Sequence, residues 1–309
     1  MPGAALRILT WNLFHGRDGL PGLGPTWAST LLGRPVEDGT HVHLNRKLTD
    51  LMGRRIAGWA PDVCALQEVP TAGIPALVAA TGMRAVWTTT GPLVGPARLR
   101  DALAARNPDL WRTHEGNANV LLVGGRLKVV GDGLRSRRLN SWRGVARAAR
   151  DLRLTAGELA RYLPEPRRIV LARLRAPGGA TLVAGCVHCH NARDPGVVGR
   201  EIALAAAIVR EAAGDDPAVL AGDLNARPDH AAMAALAADG WHGATLDAGD
   251  GIDRILSRGL RVLEGPRTLP AAEREVTVSW SGLTRRLRLS DHDPVVATFE
   301  VPAARGSAS

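Results

Sequence analysis

Six short stretches of this 309-residue chain end or turn on side chains suited to polar chemistry. They are Thr10-Trp11-Asn12, Leu66-Gln67-Glu68-Val69, Val187-His188, Gly222-Asp223-Leu224-Asn225, Ile252-Asp253-Arg254-Ile255 and Ser290-Asp291-His292-Asp293-Pro294. A carboxylate such as Glu68 is a hard oxygen donor suited to Mg²⁺, which keeps several waters and takes few protein ligands. Histidines such as His188 and His292 change charge near neutral pH. An aspartate that accepts a histidine ring N–H fixes the tautomer and favours the charged ring. Singly, each stretch is also an ordinary strand end or turn, and a Gly-Asp pair after a strand is a common turn.

The elements that must position these groups are short. Leu6–Asn12, Asp62–Glu68, Ala218–Ala221, Ile252–Leu256 and Val295–Phe299 read as strands, several with a polar residue at or next to one end. Ile169–Leu174 and Thr181–His188 read as a hairpin turning at Pro177-Gly178-Gly179, and Val120–Val130 as another turning at Gly124-Gly125. Apolar spacing predicts helices over Leu44–Trp59, Val197–Ala213 and Pro228–Ala238, the first stopping at Pro61. Residues 18–43 read as a Gly/Pro-rich loop, 131–168 as an arginine-rich insertion and 302–309 as a disordered tail. Hairpins mixed with helices argue for packed sheets with helices outside, rather than a doubly wound parallel sheet.

In this order, from about Leu6 to Phe299, the six pieces resemble the endonuclease/exonuclease/phosphatase superfamily, whose members include DNase I, apurinic endonucleases, sphingomyelinases and inositol polyphosphate 5-phosphatases. The resemblance is strongest at Gln67-Glu68, Gly222–Asn225 and Ser290–His292, and Asn119 in Ala118-Asn-Val-Leu-Leu122 matches a further strand. It implies an α/β fold, a four-layer α/β/β/α sandwich of two packed mixed sheets with the active site at one sheet edge, over one domain of residues 1–309. It also implies divalent-metal-dependent hydrolysis of a phosphate ester by an activated water. Mg²⁺ (or Mn²⁺) would be held around Asn12, Glu68 and Asp291. Catalysis would fall to His188, Asp223, Asn225, Asp253 and His292, and substrate contacts to Asn119, His190, Asn191 and Arg288. Some relatives carry an acid two residues after the metal-site Asn; here Phe14 stands there, a departure from the apurinic endonucleases.

The formal charge of +9 favours a polyanion, so nucleic acid is the leading substrate class. All but Lys47 and Lys128 of the 39 basic residues are arginine, a bias that GC-rich coding also produces. A phospholipid or inositol-phosphate substrate on the same fold is the alternative, and a catalytically silent binding protein is the reading from a different class. Arg135–Arg153 with Trp142 could be a phosphate track with a stacking residue, or a solvated helix face with Trp142 packed inward. His41 and His43 read as a solvent-exposed pair. Cys186-Val-His-Cys189-His190 fits the spacing of covalent haem attachment, but Met1–Arg7 lacks an export signal, and a cytoplasmic monomer is expected. A zinc site there is also disfavoured, because 186, 188 and 190 face one way on a strand and 189 the other. Three cysteines do not make a disulfide framework.

Overall fold

A computed structural model describes residues 4–19, 35–44, 46–90, 96, 117–131, 135–162, 166–192, 194–243 and 251–302. In chain order the strands are β1 (Ala4–Asn12), β2 (Val36–Glu37), β3 (Val42–His43), β4 (Val63–Val69), β5 (Arg84–Thr89), β6 (Ala118–Val123), β7 (Lys128–Val129) and β8 (Arg135–Arg138). They continue as β9 (Arg168–Arg175), β10 (Thr181–His188), β11 (Ala218–Asp223), β12 (Asp253–Arg258), β13 (Arg261–Thr268), β14 (Glu275–Trp280), β15 (Leu283–Arg288) and β16 (Val295–Val301). The helices are α1 (Thr49–Trp59), α2 (Ile74–Thr81), α3 (Trp142–Leu152), α4 (Ala156–Tyr162), α5 (Pro195–Ala213) and α6 (Ala231–Ala238).

One sheet runs β13-β16-β1-β4-β6-β5 and the other β12-β11-β10-β9-β7, with β8 also paired to β9. Residues along each central strand alternate between two apolar layers. Leu6, Ile8, Val63, Ala65, Leu121, Leu182, Ala184, Val219 and Ala221 meet between the sheets. Leu9, Trp11, Cys64, Leu66 and Val120 face away, onto Met52 and Ile56 of α1 and Leu77 of α2. Val183, Val187, Ala218 and Leu220 face Ile202, Ala205 and Val209 of α5 and Met233 and Leu236 of α6. Strands covered on both faces must be apolar at nearly every position, which explains their short unbroken hydrophobic runs. The result is the four-layer α/β/β/α sandwich.

The 169–188 hairpin forms, with Ile169 opposite Val187. The 120–130 segment does not form a hairpin. After β6 the chain turns at Gly124, where Leu127 N–H donates to the Gly124 carbonyl, and crosses to the other sheet, where β7 pairs with β9. A Gly-Gly turn signals reversal but not which sheet receives the returning strand. The first helix starts at Thr49, later than its apolar spacing suggested, and ends at left-handed Ala60 before Pro61. Within 36–43 the chain forms the β2–β3 ribbon, and β13–β15 occupy a stretch the apolar pattern left blank. Those strands carry exposed and charged residues on an edge or a two-stranded ribbon, so they lack an apolar signature. Among the described residues no helix is long and apolar enough to cross a membrane.

Candidate active site

Strand direction explains why six separated stretches meet. β1 and β4 are parallel, as are β10 and β11, so Asn12, Glu68, His188 and Asp223 all lie at carboxyl ends on one edge. β12 runs antiparallel to β11, which brings its first residue, Asp253, directly opposite Asp223. β16 runs antiparallel to β1, so the Ser290–Pro294 loop that precedes it reaches the same edge. His188, Asp223 and Asp253 therefore stand side by side across three strands.

Gly222 makes that alignment sterically feasible. Its φ is 151°, and a β-carbon there would stand 1.8 Å from the Val187 carbonyl oxygen. Only glycine lets β11 lie this close to β10 and turn Asp223 inward. Five non-glycine residues at this edge have left-handed φ: Phe14 (46°), His15 (55°), Glu68 (51°), Asn225 (49°) and Ser290 (63°). Such backbone strain gathers where a side chain must be aimed. At Glu68 it coincides with a β-bulge between Leu66 and Val69.

Asp223 is the hub. It is 2% exposed; its Oδ2 accepts from the Asn12 amide at 3.1 Å and its Oδ1 from the Asn225 N–H at 2.9 Å. His188 Nε2 lies 3.5 Å and His292 Nε2 3.9 Å from Asp223 Oδ2. On its other side His292 Nδ1 meets Asp253 Oδ2 at 2.7 Å. Burial, then the charge of Asp253, raise the Asp223 carboxyl to about 7, against the lowering pull of His292, the Asn225 N–H and the Asn12 amide. For His292, burial opposes the charged ring, but Asp253, followed by Asp223 and Asp291, outweighs it and raises the ring to about 11.

The loop bearing His292 is fixed from several sides. Ser290 Oγ donates to the Asn12 carbonyl at 2.6 Å, and Trp11 Nε1 donates to the His292 carbonyl at 2.9 Å. Buried Arg274 donates through Nε to Asp293 at 2.7 Å and through Nη1 to the Ser290 carbonyl at 2.5 Å. Sequence reading missed Arg274; its only trace there is Asp293, the acid left over in Asp291-His292-Asp293.

The other residues named from sequence divide by environment. Glu68 is mostly buried, between His15 Nε2 at 3.2 Å and His188 Nδ1 at 3.9 Å. Asp291 is exposed beside Ser290. Asn119 is buried and donates to the Arg168 carbonyl at 2.7 Å, tying β6 of one sheet to β9 of the other. His190 is buried, its N–H donating to Glu201 of α5 at 2.6 Å, whereas Asn191 is exposed. Asn225 donates its amide to the Cys189 carbonyl at 2.9 Å, so part of its donor capacity is committed to the loop. Arg288 lies on β15 and is held by Glu275 at 2.7 Å.

The same acid, Glu275, also takes Arg286 and His41, so one carboxylate is shared among three basic side chains. His41 and His43 are mostly buried rather than a solvent-exposed pair: His43 Nδ1 lies 2.9 Å from Asp18, which also accepts from the N–H groups of Leu44 and Arg46. Trp142, by contrast, is 70% exposed at the start of α3, among exposed Arg143, Arg147 and Arg150. Cys186 packs between the sheets and Cys189 beneath α5, on opposite faces, which rules out one metal gripped by both.

This edge suits a divalent cation. Asp223, Asp253 and His292 each bring one donor atom within 4.8 Å of the others, and Glu68 opens toward the same edge from the facing sheet. Asp253 Oδ1 and Asn119 Oδ1 are buried with no hydrogen-bond partner among the described residues. The repulsion between crowded carboxylates is relieved by a nearby cation.

The sequence model of the endonuclease/exonuclease/phosphatase family matches residues 9–292. No curated protein matches the chain by sequence. Among solved structures, an endonuclease/exonuclease/phosphatase family protein from Bacteroides thetaiotaomicron is similar, with a TM-score of 0.62 at 12% identity over 97% of this chain and 99% of that one. A mannosyl-6-phosphatase from B. thetaiotaomicron VPI-5482 gives 0.60 at 12% identity over 94% and 98%. The human Nocturnin catalytic domain with bound sulfate gives 0.60 at 14% identity over 97% and 94%.

Proposed function

Because the chain belongs to the endonuclease/exonuclease/phosphatase family, we propose that it hydrolyses phosphate esters by a metal-dependent attack of water, with nucleic acid as the leading substrate class. The observation that carries this reading is Asp223, buried and in contact with Asn12, while both His188 and His292 approach its Oδ2. A carboxylate raised to about 7 is matched to taking a proton from water near neutral pH. His292, kept charged by Asp253, offers positive charge to a phosphoryl group at the same edge. His188 stands beside Asp223 to hold the phosphate or protonate the leaving group, and Asn225 contributes its remaining N–H to a phosphoryl oxygen.

Glu68, Asn12 and Asp291 would hold Mg²⁺ or Mn²⁺, which when bound polarises a phosphoryl oxygen and steadies its developing charge. Of the remaining residues, exposed Asn191 and half-buried Arg288 would meet the substrate directly, while buried Asn119 and His190 would act by holding β6, β9 and α5 behind it. The exposed Trp142 and its neighbouring arginines support nucleic acid over a head-group substrate, since bases stack on aromatic faces while arginines follow the backbone. They also follow directly on β8, whose Arg138 pairs with Arg168 at the site edge. The same reading has the chain acting as one domain and a monomer in a reducing compartment, in keeping with its three free, buried thiols.

The test is hydrolysis of bis(p-nitrophenyl) phosphate, p-nitrophenyl phosphate and a fluorescent DNA strand, in EDTA, Mg²⁺ or Mn²⁺, by wild type and Asp223→Asn. Metal-dependent cleavage lost by about 10²–10⁴-fold in Asp223→Asn is the expected result. Cleavage that survives EDTA, or that Asp223→Asn leaves intact, refutes the reading. Turnover of the monoester alone would transfer the assignment from nuclease to phosphatase.

A further inference from the structure

His15 has no part in the scheme above, yet it is built into the site. Its ring is 1% exposed, and Nε2 lies 3.2 Å from Glu68 Oε2. Despite that distance, neither ring nitrogen makes a hydrogen bond among the described residues. The separation is within ordinary reach, so direction is what fails: the ring N–H axis does not point at the carboxylate oxygen. Two donors in adjacent positions around an octahedral ion, with bonds of about 2.1 Å, stand about 3.0 Å apart and converge on a third point rather than on each other. His15 and Glu68 have that spacing without a hydrogen bond from the ring to the carboxylate.

The backbone is bent to put the ring there. Phe14, His15 and Gly16 have φ of 46°, 55° and 69°, and a β-carbon on Gly16 would meet Thr49 Oγ1 at 2.4 Å. The Phe14 N–H is taken by Asn12 Oδ1 at 3.0 Å, and Leu48 N–H ties the Gly16 carbonyl to the start of α1 at 2.7 Å. A histidine that served only as packing needs neither consecutive left-handed residues nor a carboxylate as neighbour.

We propose that His15 is a further ligand of the cation held at Glu68, and that its imidazole makes the centre a mixed nitrogen–oxygen site favouring a first-row transition ion such as Mn²⁺ over Mg²⁺. The inference rests on the metal-dependent reading. Mg²⁺ takes oxygen donors and gives up water reluctantly, whereas imidazole binds transition ions, with affinity rising along the first row from Mn²⁺.

The experiment needs no substrate. Mn²⁺ and Mg²⁺ affinities are measured by calorimetry, and pulsed electron paramagnetic resonance of bound Mn²⁺ reports any directly coordinated ¹⁴N. Wild type should show the ¹⁴N coupling and bind Mn²⁺ at least about tenfold more tightly than Mg²⁺. His15→Gln should abolish the coupling and weaken Mn²⁺ by about 10–100-fold while changing Mg²⁺ less than about threefold. His15→Asp, which puts a carboxylate oxygen in place of the imidazole nitrogen, should tighten Mg²⁺ binding and bring the two affinities together. Mn²⁺ bound by wild type without ¹⁴N coupling overturns the role of His15 whether or not the variants fold. Coupling that persists in His15→Gln also overturns it. A wild type that binds neither ion refutes the metal-dependent reading itself, and the proposal with it.

Discussion

Replacing Asp253 by Asn separates the two charges that organise the site. Asp253 accepts from His292 Nδ1 at 2.7 Å and stands opposite Asp223 across β11 and β12. The rise of His292 from 6.5 to about 11 corresponds to on the order of 6 kcal/mol favouring the charged ring. With Asp253 neutral, its charge and hydrogen bond are lost and only Asp223 and Asp291 still oppose burial, so the ring should titrate below about 8. Asp223 should move down as well: its burial remains, but the like charge that helped to raise it to about 7 is gone, so its pKa falls. A base must be ionised and the imidazolium charged, so wild-type hydrolysis should rise through about pH 7 and fall near pH 11.

In Asp253→Asn the alkaline limb should drop by at least about 3 pH units and the acid limb should also move down, leaving 10²–10⁴-fold less activity at pH 8. For stability, a histidine raised above its unfolded value contributes fully below about 6.5 and loses that contribution as pH climbs toward 11. At pH 8 the variant therefore forgoes most of it. Relief at Asp223 returns part, since a carboxyl raised above its unfolded value costs stability as pH rises from 3.8 through about 7. A net loss of about 2–4 kcal/mol at pH 8, growing as pH falls toward about 6, is expected by urea unfolding. Titration of the His292 Cε1 proton by NMR gives the direct reading. A ring that still titrates above about 9 in the variant, or an acid limb that moves up, refutes the coupling.

Gly222→Ala should cost more than about 3 kcal/mol or prevent folding, because its β-carbon would collide with the Val187 carbonyl; Gly58→Ala in α1, which meets nothing within 4 Å, should gain about 0.5–1 kcal/mol by denaturant melts. Trp142→Ala should raise KM for a DNA strand by about 5–100-fold, the loss of one stacked base, and leave bis(p-nitrophenyl) phosphate unaffected; equal effects on both would remove Trp142 from the substrate path. All three thiols are buried and burial raises them, Cys186 to about 12, so native protein should resist iodoacetamide and unfolded protein should take three labels by mass spectrometry.

What could be read from the chain and what could not follow a physical division. Core strands such as β4 and β10 are apolar on both faces, so they announce themselves, and the acid or histidine that ends each run stands out against it. The same contrast makes Glu68, His188 and Asp223 legible and hides His15, Asp18 and Arg274, which lie in polar segments where nothing marks a buried side chain. Trp142 went unresolved for a related reason: helix spacing places Val145 and Ala148 inward, but a tryptophan at the first turn satisfies either face until the neighbouring helix is known. Contacts between elements are the missing information, and the charges show it best. Arg285, Arg286 and Arg288 stand in a row on β15, yet Glu37 and Glu275, one of them some 250 residues away in sequence, offset two of their three charges. A polyanion arriving at this edge would therefore meet less positive charge on β15 than its three arginines suggest, and substrate preference should respond to exposed Arg143 and Arg147 of α3 before Arg288.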